Sequence, residues 1–507
     1  MATLPSPRPS ADVDMDKEAH VRHIQDAADM NNFDDLPSYP NANTVNNFDI
    51  VEAKRIRRKV DFRLLPLLIL LYTLAFLDRV NIGNARLWHL ERDLDMTGYD
   101  YNIAVLVFYI PYILFGIPAN MLPTRLRPRY WIGGLTICFG ASVTAAGFCT
   151  NRAGFLTTRV LLGAFEAGMF PACMYLINTW YCRHELSTHI AWFMVANNIA
   201  GATSGLLGAG LGSIDGVGGY SGWSWIFFVE GGASVLAGIL AALFILDFPD
   251  DSDFLPPEEK AWLLRRLEAD DGRKGTAKMS FGDVATALVD WKVFISGVLY
   301  VSACVTAYSV AVFAPTILAT FGWDSIKANL LSSPIRITAG IASVSIGIFS
   351  DRLRRRGVFV VGGFTLSILG NILVMLLQKG NLRYMGLYFT AVGVMAVQPL
   401  IIGWCVNQVA SSSKRGTVAA FAGSMGQIGG IISALAFPKK DAPQYVPGMS
   451  INVGFLALGI VAALWLWFWA RWENAQRDKG RRDHLRSLPQ EGQDRLGEKH
   501  PDFRFTL

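Results

Sequence analysis

Residues 63–84 read Arg63-Leu64-Leu65-Pro66-Leu67-Leu68-Ile69-Leu70-Leu71-Tyr72-Thr73-Leu74-Ala75-Phe76-Leu77-Asp78-Arg79-Val80-Asn81-Ile82-Gly83-Asn84, an apolar run with an acid and a base set into it. About 20 apolar residues are enough to cross a ~30 Å hydrocarbon core as helix. An ionised side chain at that depth costs ~2.5–3.5 kcal/mol even on a lenient insertion scale. A second apolar run, 154–178, carries Arg159 and Glu166. Four such groups together approach about 10 kcal/mol unless they face one another or a water-filled cavity. A chain that keeps them is expected to move something charged through its centre, so transport leads the readings.

Working outward, twelve candidate spans follow: 63–84, 102–122, 131–150, 154–178, 188–211, 224–246, 292–315, 328–349, 358–378, 384–406, 417–437 and 451–472. The 507 residues are 52% apolar and only 17% charged, against about 25% charged for a soluble domain. Residues 1–60 read as a disordered cytosolic tail with no cleavable signal peptide. Next come a six-helix bundle (61–246), a polar cytosolic linker with a short surface helix (247–291), a second six-helix bundle (292–472) and a cytosolic tail (473–507). Six spans, a linker and six more is a two-bundle transporter layout, an all-α membrane protein. Basic residues at 54–59, at Arg125, Arg127 and Arg129, at Arg352 and 354–356, and at Lys414-Arg415 fall on one side, which is expected to be the cytoplasm with both termini inside. The loops opposite, with Arg86, Arg92, Lys439 and Lys440, are more balanced. The six cysteines lack ligand spacing and read as small hydrophobes.

The halves echo each other weakly. Ser350-Asp351-Arg352-Leu353-Arg354-Arg355-Arg356 after span eight matches Pro123-Thr124-Arg125-Leu126-Arg127-Pro128-Arg129 after span two. An acid–base turn can latch two helix ends through charge and dipole. The first copy lacks the acid, so a full latch is expected only at Asp351, Arg352 and Arg355. The alternative reading is that both stretches are merely positive-inside anchors.

The segment Leu77-Asp78-Arg79-Val80-Asn81-Ile82-Gly83-Asn84-Ala85 resembles the first helix of the fungal anion:cation symporters, the allantoate and nicotinate permease group of the major facilitator superfamily. Gly222-Trp223-Ser224-Trp225-Ile226-Phe227-Phe228-Val229-Glu230-Gly231, Asp247-Phe248-Pro249, Ser350-Asp351-Arg352, Trp404-Cys405-Val406-Asn407, Ser413-Lys414-Arg415 and Ala442-Pro443-Gln444-Tyr445-Val446-Pro447-Gly448 agree in order across about residues 55–475. The resemblance implies proton-coupled uptake of small organic anions such as vitamins, ureides or carboxylic acids. The chain departs from the group's pattern at Ser224 (commonly Arg), at Gln408 and Gln427 (usually Asn), and at Arg336 in an ordinarily apolar stretch.

Arg159 and Glu166, seven residues apart, share a helix face about 10 Å apart along the axis. Asp78 and Asn81 share a side of the first span, with Arg79 turned about 100° away. If the first and fourth helices adjoin, four charges of zero sum surround one cavity. Protonating Glu166 or Asp78 would free an arginine for an incoming carboxylate. Glu166 is the favoured proton site, and Arg79 or Arg159 the substrate anchor; a purely structural salt bridge is the alternative. Arg336, about 12 Å into span eight, is a second candidate anion anchor, or it snorkels to the surface. Asn197, Asn198, Gln398, Trp404, Asn407, Gln408 and Gln427 could touch substrate or only bond a neighbouring helix. Tyr308 and Phe313 could stack on a planar ring. Glu230 reads mainly as a brace of its helix.

No phosphate loop, nucleophile elbow or His/Cys metal spacing is present in the sequence, so an ATP-driven pump, a membrane hydrolase or any cofactor is not implied. The expected partners are a small organic anion, protons and the bilayer, with no nucleic acid and a monomer as the working unit, in the plasma membrane. Proton-antiport efflux and a non-transporting nutrient sensor are the rival readings.

Overall fold

The computed structural model describes residues 50–121, 126–271, 290–353, 355–409, 412–487, 498 and 500–507. The chain divides into two compact units, Met1–Arg58 and Lys59–Leu507. The described part of the first belongs to the opening turns of α1; all that follows concerns the second.

The helices are α1 (Ile50–Arg86), α2 (Asp100–Met121), α3 (Pro128–Gly147), α4 (Arg152–Glu166), α5 (Met169–Trp180), α6 (Arg183–Gly212), α7 (Gly222–Phe244), α8 (Pro257–Asp271), α9 (Trp291–Ala319), α10 (Ser325–Leu353), α11 (Arg356–Leu376), α12 (Gly380–Val406), α13 (Ser412–Ala436) and α14 (Val446–Asp478). Their starts follow local chemistry. Asn151 caps α4 by accepting from the Gly154 amide at 2.8 Å, and Asp290 caps α9 by accepting from Lys292 at 3.0 Å. Proline opens α3 and α8, where its missing N–H costs nothing. Among the described residues, ten stretches are long and apolar enough, by length and composition, to cross a membrane. Of the twelve expected spans, 102–122 and 188–211 are not among them, although helices α2 and α6 cover both.

The expected span 154–178 is interrupted. It forms α4 and α5 with a break at Ala167 and Gly168. Pro171 has no N–H to return to the Ala167 carbonyl, so the hydrogen-bond ladder stops there. The break leaves Glu166 as the last residue of α4.

Helices meet through small residues, as expected where lipid supplies no hydrophobic drive between them. Gly133, Gly140 and Gly147 of α3 lie against Ala242, Val235 and Phe228 of α7, each too close for a side chain. Gly363 and Gly370 of α11 meet Gly393 and Gly386 of α12 in the same manner. Large apolar groups such as Leu243, Leu376, Val461 and Trp465 stand exposed on the outside. Their exposure suits a protein surrounded by acyl chains rather than water.

The first basic turn has no acid of its own, but it draws one from elsewhere in the chain. Arg129, in the first, pairs with Asp247 at 2.7 Å, and the carboxylate side is only 5% exposed. The acid comes from the segment after α7 instead of from the turn itself. Trp180 fixes that segment by donating to the Asp247 carbonyl at 3.1 Å. In the second turn Arg352 and Arg355 are exposed, and the Asp351 side chain lies outside the described ones.

Candidate functional site

Two helix contacts set the site. At Gly83 of α1 an added Cβ would sit 2.0 Å from the Val312 carbonyl oxygen of α9, so α1 and α9 touch backbone to backbone. At Gly163 of α4 it would sit 2.1 Å from the Phe108 carbonyl oxygen of α2. Asp78, Arg79, Arg159 and Glu166 come together in one buried region, each 5% exposed or less.

Within it the pairing differs from the sequence order. The Arg79 guanidinium donates through Nε and Nη2 to Glu166 Oε1, both at 2.5 Å. Arg159 does not pair with Glu166; its Nη1 donates to the Asp78 main-chain carbonyl at 3.3 Å, and its Nε has no partner. Asp78 Oδ2 accepts from Ser234 of α7 at 3.4 Å. Aromatic rings line the guanidiniums: Arg79 lies 4.5 Å from the Tyr112 ring centre and 5.2 Å from that of Phe108, and Arg159 5.5 Å from Phe108. Such faces stabilise a desolvated cation. Asn81 donates to Glu230 of α7 and accepts from Asn84, which also donates to the Ser204 carbonyl of α6 at 2.8 Å.

The other helices add a third buried cation. Arg336 of α10 is 5% exposed and donates through Nη2 to the Ala311 carbonyl of α9 at 2.5 Å. Among the described residues no carboxylate pairs with it. Its side chain lies against Gly201 of α6, where a methyl group would meet Cδ at 2.7 Å. One turn before Ala311, Tyr308 donates to Gln427 at 3.3 Å and packs edge-on against Tyr109 of α2 at 5.4 Å. The Asn197 amide oxygen is buried without a partner.

Three sequence candidates fall elsewhere. Trp404 is fully buried under the carboxy-terminal segment, donating from Nε1 to the Thr506 carbonyl at 2.9 Å. Gln408 donates through Nε2 to the same carbonyl at 2.8 Å. Asn407 caps the end of α12 beside them, half-exposed. None of the three contacts the charged region. The ring wall of Phe108, Tyr109 and Tyr112 went unnoticed in the sequence, although its aromatic spacing along α2 was a signal.

A family model described as Major Facilitator Superfamily matches residues 68–434. The chain belongs to the major facilitator superfamily. Within it the similar proteins are fungal permeases. The "MFS-type transporter cnsO" of Penicillium expansum is 31% identical, covering 91% of this chain and 92% of that protein. The "High-affinity nicotinic acid transporter" of Saccharomyces cerevisiae is 29% identical, with 89% and 84% covered. Among solved structures, a D-xylose-proton symporter superposes with a TM-score of 0.63 at 14% identity, covering 80% of this chain and 97% of that one. A likeness that distant speaks to the fold alone. This facilitator is therefore an all-α integral membrane transporter of fungal-permease type.

Proposed function

We propose that this facilitator takes up a small organic anion together with protons, by alternating access between two six-helix bundles. The observation that carries the reading is the Arg79–Glu166 pair, held at 2.5 Å with side chains 5% and 1% exposed. A buried pair is tolerable only while both partners stay, because removing one strands a charge at a cost of about 3–5 kcal/mol. Protonating Glu166 strands Arg79. A carboxylate then replaces Glu166, and Arg79 can grip it with two parallel N–H bonds. Proton and anion thereby raise each other's affinity, which is the thermodynamic requirement of symport. Arg336, a buried guanidinium with no carboxylate partner among the described residues, supports an anionic substrate from the opposite half. Asp78, Arg159, Asn81, Asn197 and Tyr308 complete the lining in this reading. Trp404 and Asn407 are left out of it. Twelve spans with cytoplasmic termini in the plasma membrane, and Arg352 and Arg355 beside Asp351 as the inner latch, belong to the same proposal.

Uptake of a labelled organic-anion panel into permease-deficient yeast tests it, at acid and neutral pH, with and without a protonophore. Acid-stimulated accumulation abolished by the protonophore is the expected outcome. Surface-expressed protein that takes up none of the anions would reject the reading. With a substrate in hand, Glu166→Gln should still exchange labelled for unlabelled anion but lose uphill accumulation.

A further inference from the structure

Helix α1 presents three buried polar residues to α7 and α6 that the Arg79–Glu166 pair does not use: Asp78, Asn81 and Asn84, all 0% exposed. Two rungs cross to α7. Ser234 donates to Asp78, and Asn81 donates to Glu230. Asp78 and Asn81 are three residues apart, and Glu230 and Ser234 four, so each rung sits one helical turn from the other. The Glu230 and Asp78 carboxyls are therefore near neighbours across one dry interface, with Glu230 only 2% exposed.

The charges here do not balance. Asp78, Glu166 and Glu230 are three acids; Arg79 and Arg159 are the two bases among them. Arg79 is committed to Glu166, and Arg159 lies beside Asp78 through the carbonyl bond. Glu230 is left with an amide on one oxygen, and its other oxygen, Oε2, is buried with no partner. Asp78 Oδ1 is orphaned in the same way. An isolated carboxylate in such surroundings does not stay ionised; it neutralises. A protonated carboxyl, unlike a carboxylate, is a hydrogen-bond donor, so one proton cancels the surplus charge and gives the orphaned oxygens a hydrogen to share.

We propose that Glu230 is a second proton-binding site of this facilitator, filled at neutral pH and distinct from Glu166, with Asp78 as its neighbouring acceptor. Its use in transport rests on the proton-coupled reading above; its occupancy does not.

Infrared spectroscopy of the purified full chain in lipid nanodiscs tests occupancy directly, through the deuterium-sensitive C=O stretch of a protonated carboxylic acid at neutral pH. The band is expected in the unmodified protein and in Glu166→Gln, and is expected to vanish in Glu230→Gln, where the amide keeps the acceptor for Asn81. Absence of the band from the unmodified protein, or its full persistence in Glu230→Gln, would overturn the proposal. Asn81→Ala keeps the test decisive if Glu230→Gln fails to fold, because it removes the hydrogen bond to Glu230 and leaves all three acids and both bases in place. The band should remain at a shifted frequency; an unshifted band would place the proton on another carboxyl and reject Glu230. A Glu166→Gln protein that still accumulates substrate uphill would sink the transport reading while leaving this band untouched, so the two failures are separable.

Discussion

Arg336 is buried like a structural residue yet lacks what a structural guanidinium needs. A carbonyl satisfies one of its N–H groups and no carboxylate among the described residues balances its charge. If an anion completes it, Arg336→Gln should raise KM by roughly 10- to 100-fold, the value of one hydrogen bond to a charged group of about 1.5–3 kcal/mol. Surface level and exchange at saturating substrate should change far less. Equal KM values in the two proteins would mean that Arg336 only braces α9 against α10. Arg79 poses a finer test, since a lysine keeps charge but not the two-pronged geometry. Arg79→Lys should weaken anion binding by about 10-fold or more, read as KM in the same exchange assay. The presence of these residues was legible in the sequence, because charges in apolar runs stand out. Their partners were not. Glu166 lies 87 residues from Arg79, and their meeting depends on how separate helices pack, which residue spacing along the chain does not encode.

At the scale of elements, the carboxy-terminal segment acts as a strap over one end of the later helices. Phe505 is buried against Trp469 with ring centres 4.7 Å apart, and Asn474 exchanges hydrogen bonds with its backbone at 2.8 and 3.0 Å. Glu498 accepts from Lys414 of α13 and from Lys292 of α9, the latter at 3.2 Å. Burial alone would raise the Glu498 carboxyl, but the Lys414 hydrogen bond and the Lys292 charge outweigh it and bring it down to about 2. A carboxyl depressed on docking stabilises the docked state above its free value and loses that contribution as pH falls toward the docked one. Docking should therefore be constant through neutral pH and release only in strong acid. Glu498→Gln or Phe505→Ala should expose Trp404, measured as stronger quenching of its fluorescence by an aqueous quencher in a protein whose other tryptophans are replaced. Unchanged quenching would deny the strap. This contact also explains why Trp404 looked like a substrate residue: an aromatic with a polar edge in an apolar run reads alike whether its partner is a ligand or a distant stretch of its own chain. The break between α4 and α5 was more accessible, since Pro171 announced it, but a proline inside an apolar span signals a kink as readily as two helices.

Under the proposed alternating access the molecule opens at its two ends in turn, and the described bonds between early and late helices cluster at the end opposite the basic loops. Asn102 of α2 donates to the Ala434 carbonyl of α13 at 2.5 Å, and Ser325 of α10 to the Leu87 carbonyl at 3.0 Å. Glu91, in the turn after α1, joins Arg86 of its own side and Lys439 of the other, each at 2.7 Å. Neither Arg86 nor Lys439 suggested more than balanced loop charge in the sequence, because the acid that unites them belongs to the fold. Opening this end must break the Lys439 contact, whereas the Arg86 contact can travel with its own half. Lys439 is largely exposed, so the contact is worth about 0.2–1 kcal/mol. Glu91→Gln should therefore shift the equilibrium toward the state open at this end by roughly one- to five-fold. A spin-label pair placed across the two loops should report that shift as a larger long-distance population. Lys439→Gln should reproduce it, and the double variant should add nothing, because both changes remove one bond. If the double variant adds the two single effects, the residues act separately and no latch joins the halves at this end.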